Sequence, residues 1–325
     1  MSSASGEPRV RVETPTAVRL EGVVRRYGEL EAVRGIDLSI GRGDFFGLLG
    51  PNGAGKTTTL AMICGLIDPT RGRILIDGDA RRPLAGPTKR KLGLVPQEFA
   101  FYPTLTAREN LAFFGRIYGL SGNRLRERVD AVLTIAQLQE RDREPITHYS
   151  SGMKRRLNIA IGLLHEPEIL ILDEPTVGVD AQSRSAILET LRKLNRDGTT
   201  VLYSTHYMEE AERLCNRVAI IDQGRVMATD APRELVRALA AGLIELQLGV
   251  PATADFLTSL RRLGTVELPG PDAMTLTVST LQPEVALPEL LGLAQAAGLP
   301  IRRLHLLEPN LEAVFLALTG RQLRD

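Results

Sequence analysis

The sequence is short of cysteine, of aromatic side chains, of net charge and of long apolar runs, and each shortage removes a class of protein. Of its 325 residues two are cysteine, Cys64 and Cys215, far apart and without CxxC or Cys/His spacing. Neither a disulfide framework nor a zinc-type site is indicated, and a reducing cytosol suits such a chain. Lys and Arg number 40 against 39 Asp and Glu, a formal charge of +1, so no global field draws the protein to DNA, RNA or an anionic bilayer. No nucleic acid is expected as a partner. No stretch approaches the roughly 18 to 20 apolar residues that span a membrane. Met1 to Thr16 is polar, Pro-bearing and without the apolar core of a signal peptide. If the protein works at a membrane, another chain is expected to make the crossing.

Residues 1 to about 16 read as a disordered tail, because Ser, Pro, Glu and Thr offer little apolar surface to bury. From Val18 the pattern is strand-like, and Val33, Ile36, Leu38 and Ile40 mostly alternate before the turn signal Gly41-Arg-Gly43. Phe45-Phe-Gly-Leu-Leu49 is a short apolar run that suits a strand buried on both faces. Lys56 to Leu66 reads as a helix stopped near Asp68-Pro69. Strands are expected at Arg73–Ile76, Leu92–Val95, Ile169–Leu172, Thr199–Ser204 and Arg217–Ile221, with helices at about 106–118, 124–139, 151–165, 181–196 and 207–214. That alternation predicts an α/β fold with a largely parallel sheet covered by helices on both faces.

Around Asp230-Ala-Pro the pattern breaks and starts again. Strand 244–248, helix 252–263, strands 265–268 and 274–279, helix 284–298 and strand 300–306 make a βαββαβ unit, followed by helix 310–319. The expected organisation is therefore a tail at 1–16, a first domain at 17–235 and a small α+β, ferredoxin-like domain at 240–325. The second domain contains no constellation with catalytic character, so a regulatory or dimer-stabilising role is its default.

Gly50-Pro-Asn-Gly-Ala-Gly55-Lys56-Thr57 fits G-x-x-x-x-G-K-[ST], after a predicted strand and at the start of a predicted helix, the context that phosphate-loop motif needs. Gly50, Asn52, Gly53, Ala54 and Gly55 form the loop. Without side chains, Gly53 and Gly55 let successive N–H groups turn inward on phosphate oxygens, while the helix start adds about half a positive charge. Lys56 is placed to bridge the β- and γ-phosphates, the Thr57 hydroxyl to ligate Mg²⁺, and Thr58 to add a hydroxyl on the α-phosphate side. Ile169-Leu-Ile-Leu172-Asp173-Glu174 is an apolar strand that ends in two acids, where open parallel sheets bind ligands. Asp173 is expected to hold Mg²⁺ through water, and Glu174 to polarise an attacking water.

With these pieces the sequence resembles the ATP-binding cassette (ABC) ATPases over about residues 18 to 230. Tyr27 stands where the family places an aromatic that stacks on adenine, and Gln97 matches the Q-loop glutamine that contacts Mg²⁺ and reports to a membrane partner. Tyr149-Ser150-Ser151-Gly152-Met153 occupies the place of the signature L-S-G-G-Q. It departs from that form at Tyr149, Ser151 and Met153, and of these Ser151 and Met153 resemble the variant of the drug-resistance and ABC-2 branch. Asp180 matches the D-loop and His206 the switch histidine that contacts the γ-phosphate. The resemblance implies ATP and Mg²⁺ as ligands and a homodimer that closes on two ATPs, each held between the phosphate loop of one chain and Ser150, Ser151 and Gly152 of its mate. It further implies Glu174, His206 and Lys56 as catalytic groups, Thr57, Gln97 and Asp173 as metal ligands, and a separate ABC-2-type permease at the cytoplasmic face of the cell membrane.

Six of the fourteen aromatics, Phe99, Phe101, Tyr102, Phe113, Phe114 and Tyr118, lie just beyond Gln97. In the family that region receives a helix of the permease. Residues 308–320 look like the tail of daunorubicin-type exporter subunits. The alternative, a soluble ABC ATPase acting on ribosomes or DNA, is disfavoured by a single cassette, the lack of a long heptad run and the balanced charge. A module without turnover is disfavoured by Lys56, Asp173, Glu174 and His206. Cys64, on the apolar face of Ala61-Met-Ile-Cys64, is expected to be a packing residue.

Overall fold

The computed structural model describes residues 15–80, 87–239, 242–268, 273–307 and 310–319. Most of the tail expected at 1–16 lies outside these residues, and Thr16 already belongs to the first strand. The chain divides into two compact units. One comprises the chain up to Phe46, Gly53–Ser204 and Gln223–Arg225; the other comprises Gly47–Asn52, Thr205–Asp222 and the chain from Val226.

In chain order the elements of the cassette region are β1 (Thr16–Tyr27), β2 (Leu30–Gly41), β3 (Phe45–Leu49), α1 (Lys56–Ile63), β4 (Arg71–Ile76), α2 (Pro87–Arg90), β5 (Leu92–Val95), α3 (Ala107–Ile117), α4 (Gly122–Ile135), α5 (Ser151–Leu163), β6 (Ile169–Asp173), α6 (Ala181–Arg196), β7 (Thr200–Thr205), α7 (Met208–Leu214), β8 (Arg217–Asp222), β9 (Arg225–Asp230) and α8 (Pro232–Leu239). There follow β10 (Gly242–Leu248), α9 (Ala254–Leu260), β11 (Thr265–Glu267), β12 (Thr275–Thr280), α10 (Pro283–Ala296), β13 (Ile301–Leu307) and α11 (Leu311–Thr319).

In the first unit β2, β1 and β4 form an antiparallel sheet in that order, with Leu20 opposite both Leu38 and Ile74. Strands β5, β6 and β7 run parallel, in the register Leu92 to Ile169 and Leu172 to Tyr203. Every residue of β6 and β7 is buried, which is why both read as unbroken apolar runs rather than alternating ones. Helix α3 starts where Thr106 and Glu109 exchange side-chain-to-backbone hydrogen bonds, a capping box. Helix α5 lies close on β5: a Cβ at Gly93 would stand 2.5 Å from the Gly162 carbonyl.

In the second unit β10 to β13 form an antiparallel sheet ordered β11-β12-β10-β13, and the chain order is β-α-β-β-α-β as the spacing implies. Alternate residues Ile244, Leu246 and Leu248 of β10 and Leu276 and Val278 of β12 point inward onto Phe256 and Leu260 of α9 and Leu290 and Ala294 of α10. Helix α11 packs on α7 and α8, burying Leu311, Val314 and Phe315, and the Leu311 amide donates to the Glu212 carboxylate of α7.

Three elements escape the sequence pattern: α2, which is only four residues long, β9 and α8. β9 is half exposed along its length, so it lacks an apolar signature. The break expected at Asp230-Ala-Pro is the start of α8, because a proline in the first helical turn gives up an N–H that has no helical partner there. Helix α1 ends at Ile63, short of Leu66, where Gly65 turns left-handed at φ 65°.

Leu290→Ala empties a fully buried position of the β10–β13 layer and is expected to cost about 2–5 kcal/mol. Chemical denaturation followed by circular dichroism should show the lowered midpoint.

Candidate functional site

The loop between β3 and α1 is shaped by two left-handed glycines, Gly53 at φ 80° and Gly55 at φ 103°. Both fall where a side chain is strained. A Cβ on Gly55 would also lie 2.7 Å from the Ala32 carbonyl, and the same carbonyl stands 2.7 Å from a Cβ on Gly224. Gly224 donates its amide to the Ala54 carbonyl at 3.0 Å and accepts at its own carbonyl from the Arg34 amide at 2.8 Å. The turn after β8 therefore braces the loop, a role the sequence marks only by a glycine following a buried strand. Gly50 and Ala54 are buried; Asn52, Gly53 and Thr57 are exposed; Thr58 is half-buried.

Lys56, 4 % exposed, places its Nζ 3.0 Å from Oε1 of Glu174, itself 5 % exposed. The neighbouring Asp173 accepts a 2.6 Å hydrogen bond from the Ser204 hydroxyl, and the Glu174 amide donates to that same hydroxyl at 3.0 Å. Glu174 itself sits at φ 45°, a left-handed conformation uncommon for a residue with a side chain. Ser204, unnoticed in the sequence, thus holds the Asp173 carboxylate and the backbone of Glu174 from the end of the neighbouring strand. An open loop of backbone N–H groups, a cation, an exposed Thr57 hydroxyl and a fixed carboxylate suit a nucleotide triphosphate with a hard divalent cation. Cys64 is buried behind this site; burial, with Asp173 adding to it, pushes its thiol up to about 12, and Cys215 is raised for the same first reason, so both stay protonated and inert.

Ser150 caps α5, accepting from the Met153 amide at 3.2 Å, and Ser151 is exposed on the first turn. Gly152 faces α6 at a point where any side chain would collide with Ser183. Asp180 caps α6 by accepting from the Ser183 amide at 2.9 Å, and that bond holds its carboxyl below the usual range. Gly152, Asp180 and Ser183 therefore form one cluster, and Ser183 had no signal in the sequence. Tyr149 is buried, its hydroxyl donating to the Arg141 carbonyl at 2.7 Å. The first position of the variant signature points into the protein.

Tyr27 is 45 % exposed, with the Arg25 guanidinium 4.6 Å from its ring centroid. The Gln97 side chain is exposed. Among the described residues no hydrogen bond joins Tyr27, Gln97 or Ser150 to the phosphate loop. In the second unit His206 follows Thr205, its ring 4.2 Å from that of Tyr207, and the Thr205 hydroxyl accepts from the Tyr207 amide at 2.9 Å and donates to Glu210 at 3.3 Å.

Removing one partner of a buried ion pair costs roughly 3–5 kcal/mol. Lys56→Ala should accordingly lower stability, and Glu174→Gln introduced into that variant should recover part of the loss. A double-mutant cycle of thermal melts without nucleotide measures the coupling; additive effects would mean that the contact contributes nothing.

Residues 33–177 match the family described as ABC transporter. The chain is 45% identical over 315 residues to the linearmycin resistance ATP-binding protein of Bacillus subtilis, covering 95% of this chain and all of that one. It is 40% identical to the Nod factor export ATP-binding protein I of Ralstonia nicotianae, with 94% of each chain covered. A solved dimeric ATP-binding cassette in a post-hydrolysis state with ADP and Pi superposes at a TM-score of 0.60 and 31% identity, over 66% of this chain and 98% of that one. Phosphate loop, paired acids, capped signature helix and these relatives converge on one assignment: the chain belongs to the ABC transporter family as an ATP-binding subunit and is an ATPase.

Proposed function

We propose that the protein powers an exporter of the ABC-2, drug-resistance type, by closing as a homodimer on two ATPs and driving a separate transmembrane permease. The observation that carries the catalytic part is the buried Lys56–Glu174 contact, which brings the phosphate-loop cation and the acid at the end of β6 to 3.0 Å. The names of the relatives, one for resistance to linearmycin and one for Nod factor export, support the direction of transport, as do Ser151 and Met153 of the signature.

In this reading Lys56 exchanges Glu174 for the β- and γ-phosphates, leaving the Glu174 carboxylate to accept a proton from the attacking water. Lys56 and His206 stabilise the charge that develops on the transferred phosphoryl group. Gly50, Asn52, Gly53, Ala54, Gly55 and Thr58 bind the phosphates, and Tyr27 offers the free side of its ring to adenine. Thr57, Gln97 and Asp173 would hold Mg²⁺, which when bound draws off phosphate charge. Ser150, Ser151 and Gly152 reach the γ-phosphate on the mate, and Asp180 lies at the dimer interface.

The permease partner is read from the aromatic surface. Phe99, Tyr102, Phe113 and Tyr118 are each exposed by more than a third, yet Phe99 stacks on Phe101, and Tyr102, Phe113 and Phe114 contact one another at 5.0 to 6.3 Å between ring centroids. A preformed apolar surface of this kind suits an amphipathic helix from a partner. No helix among the described residues is long and apolar enough to cross a membrane, and the proposed place of action is the cytoplasmic face of the cell membrane. Residues 17–235 form the nucleotide-binding domain in this reading, and 240–325 a ferredoxin-like accessory domain.

Glu174→Gln keeps the shape of the acid but lacks the base, and a positioned base is worth about 10²–10⁴ in rate. Light scattering of this variant with Mg²⁺ should show a monomer without nucleotide and a dimer at saturating ATP. A monomer that binds ATP tightly would remove the homodimer from the proposal, and a dimer under both conditions would move the dimer contact away from the nucleotide.

A further inference from the structure

Helix α5 buries two polar side chains on one face, Arg155 at 4 % and Asn158 at 1 % exposure. Residues three apart on a helix are neighbours, and buried polar groups are costly unless their hydrogen bonds are made. Both are spent on the same short segment, Pro96–Ala100, which lies outside any helix or strand. The Asn158 amide donates to the Pro96 carbonyl at 3.0 Å and the Glu98 carbonyl at 3.4 Å, while its oxygen accepts from the Ala100 amide at 3.2 Å. Arg155 donates to the Pro96 and Gln97 carbonyls at 3.2 and 2.9 Å, and its guanidinium stands 4.9 Å from the Phe99 ring centroid. Each of the five consecutive residues is therefore held by one of two side chains of a single helix.

We propose that Arg155 and Asn158 are positioning residues that clamp the Pro96–Ala100 loop to the signature helix, fixing at once where Gln97 presents its side chain and where Phe99 presents its ring. The part of the clamp's effect that runs through Gln97 rests on the role given to that residue under the proposed function. It joins three regions through one rigid element: the Ser150 cap at the start of α5, the Gln97 loop, and the aromatic surface that begins at Phe99. Asp173 also acts on Arg155, its charge opposing the lowering of the guanidinium pKa by burial, so the clamp lies within reach of the acid proposed as a metal ligand. A displacement of α5 at its capped end then moves the loop and the Phe99 ring with it, because the bonds run to backbone atoms and leave no side-chain slack on the loop.

Asn158→Leu keeps the volume and removes all three bonds. Losing a hydrogen bond of this kind corresponds to about a tenfold change in an opening equilibrium, so hydrogen exchange at the Ala100 amide should be about tenfold faster while β6 and β7 keep their protection. The kcat for ATP hydrolysis should fall about tenfold with KM for ATP within about twofold, since the phosphate loop is untouched. Arg155→Lys, which keeps the charge but loses the planar fork, should move both readouts in the same direction and serves if the first variant fails to fold. Unchanged exchange at Ala100, or faster exchange with parental kcat, overturns the clamp. Gln97→Ala separates the two readings: if it keeps parental kcat while Asn158→Leu loses it, the assignment of Gln97 fails and the clamp is upheld through the rest of the loop; if both keep it, the clamp falls.

Discussion

One carbonyl oxygen, that of Ala32, fixes how the phosphate loop is built. It stands against both Gly55 and Gly224, 2.7 Å from where either would carry a Cβ. Neither position admits a side chain, and the close approach lets the Gly224 amide reach Ala54 at 3.0 Å. The loop's backbone is thereby fixed by its neighbours, a preorganisation that spares a ligand the cost of ordering it. Because Gly55 caps α1 in a left-handed conformation, Lys56 begins the helix buried and directed at Glu174. The chemistry of the site follows from where one strand's backbone runs.

The ends of β6 and β7 are polar, after a strand interior of Ile169–Leu172 and Val201–Leu202 that is apolar. Asp173, Glu174, Thr176 and Ser204 are all buried, and bonds link them: the Ser204 hydroxyl donates to the Asp173 carboxylate and accepts from the Glu174 amide, and Thr176 meets the Tyr203 hydroxyl at 3.3 Å. Networks of this kind gain strength in a low dielectric and are costly when half made. Their position at strand C-termini of a parallel sheet is where ligands gather in such folds. Stability in that corner is thus tied to the geometry of the reaction.

Much of this was legible in the sequence where a signal is local. β5 and α6 match their expected spans to the residue, because one is a compact apolar run between polar residues and the other an amphipathic stretch opened by Asp180. Lys56, Asp173 and Glu174 stand in linear motifs whose context the pattern supplied. What could not be read acts across distant segments: Gly224 on Ala54, Ser204 on Asp173, Ser183 against Gly152, and Arg155 and Asn158 on Pro96–Ala100. Each looks ordinary in its own stretch and acquires its role only when the chain is folded. Tyr149 shows the converse, a position inside a motif whose side chain is committed to packing, so its departure from leucine records the helical region's interior.

The bond from Leu311 to Glu212 spans 99 residues, and this has a consequence for how the protein is made. At a synthesis rate of about 5–20 residues per second, the surface of α7 that α11 covers waits roughly 5–20 s after Glu212 itself has been added. During that interval α7 lacks the helix that packs on it and that carries the buried Leu311, Val314 and Phe315. A nascent chain of this protein therefore carries α7 uncovered by α11 for that interval, and removing α11 would leave the contact unmade for good.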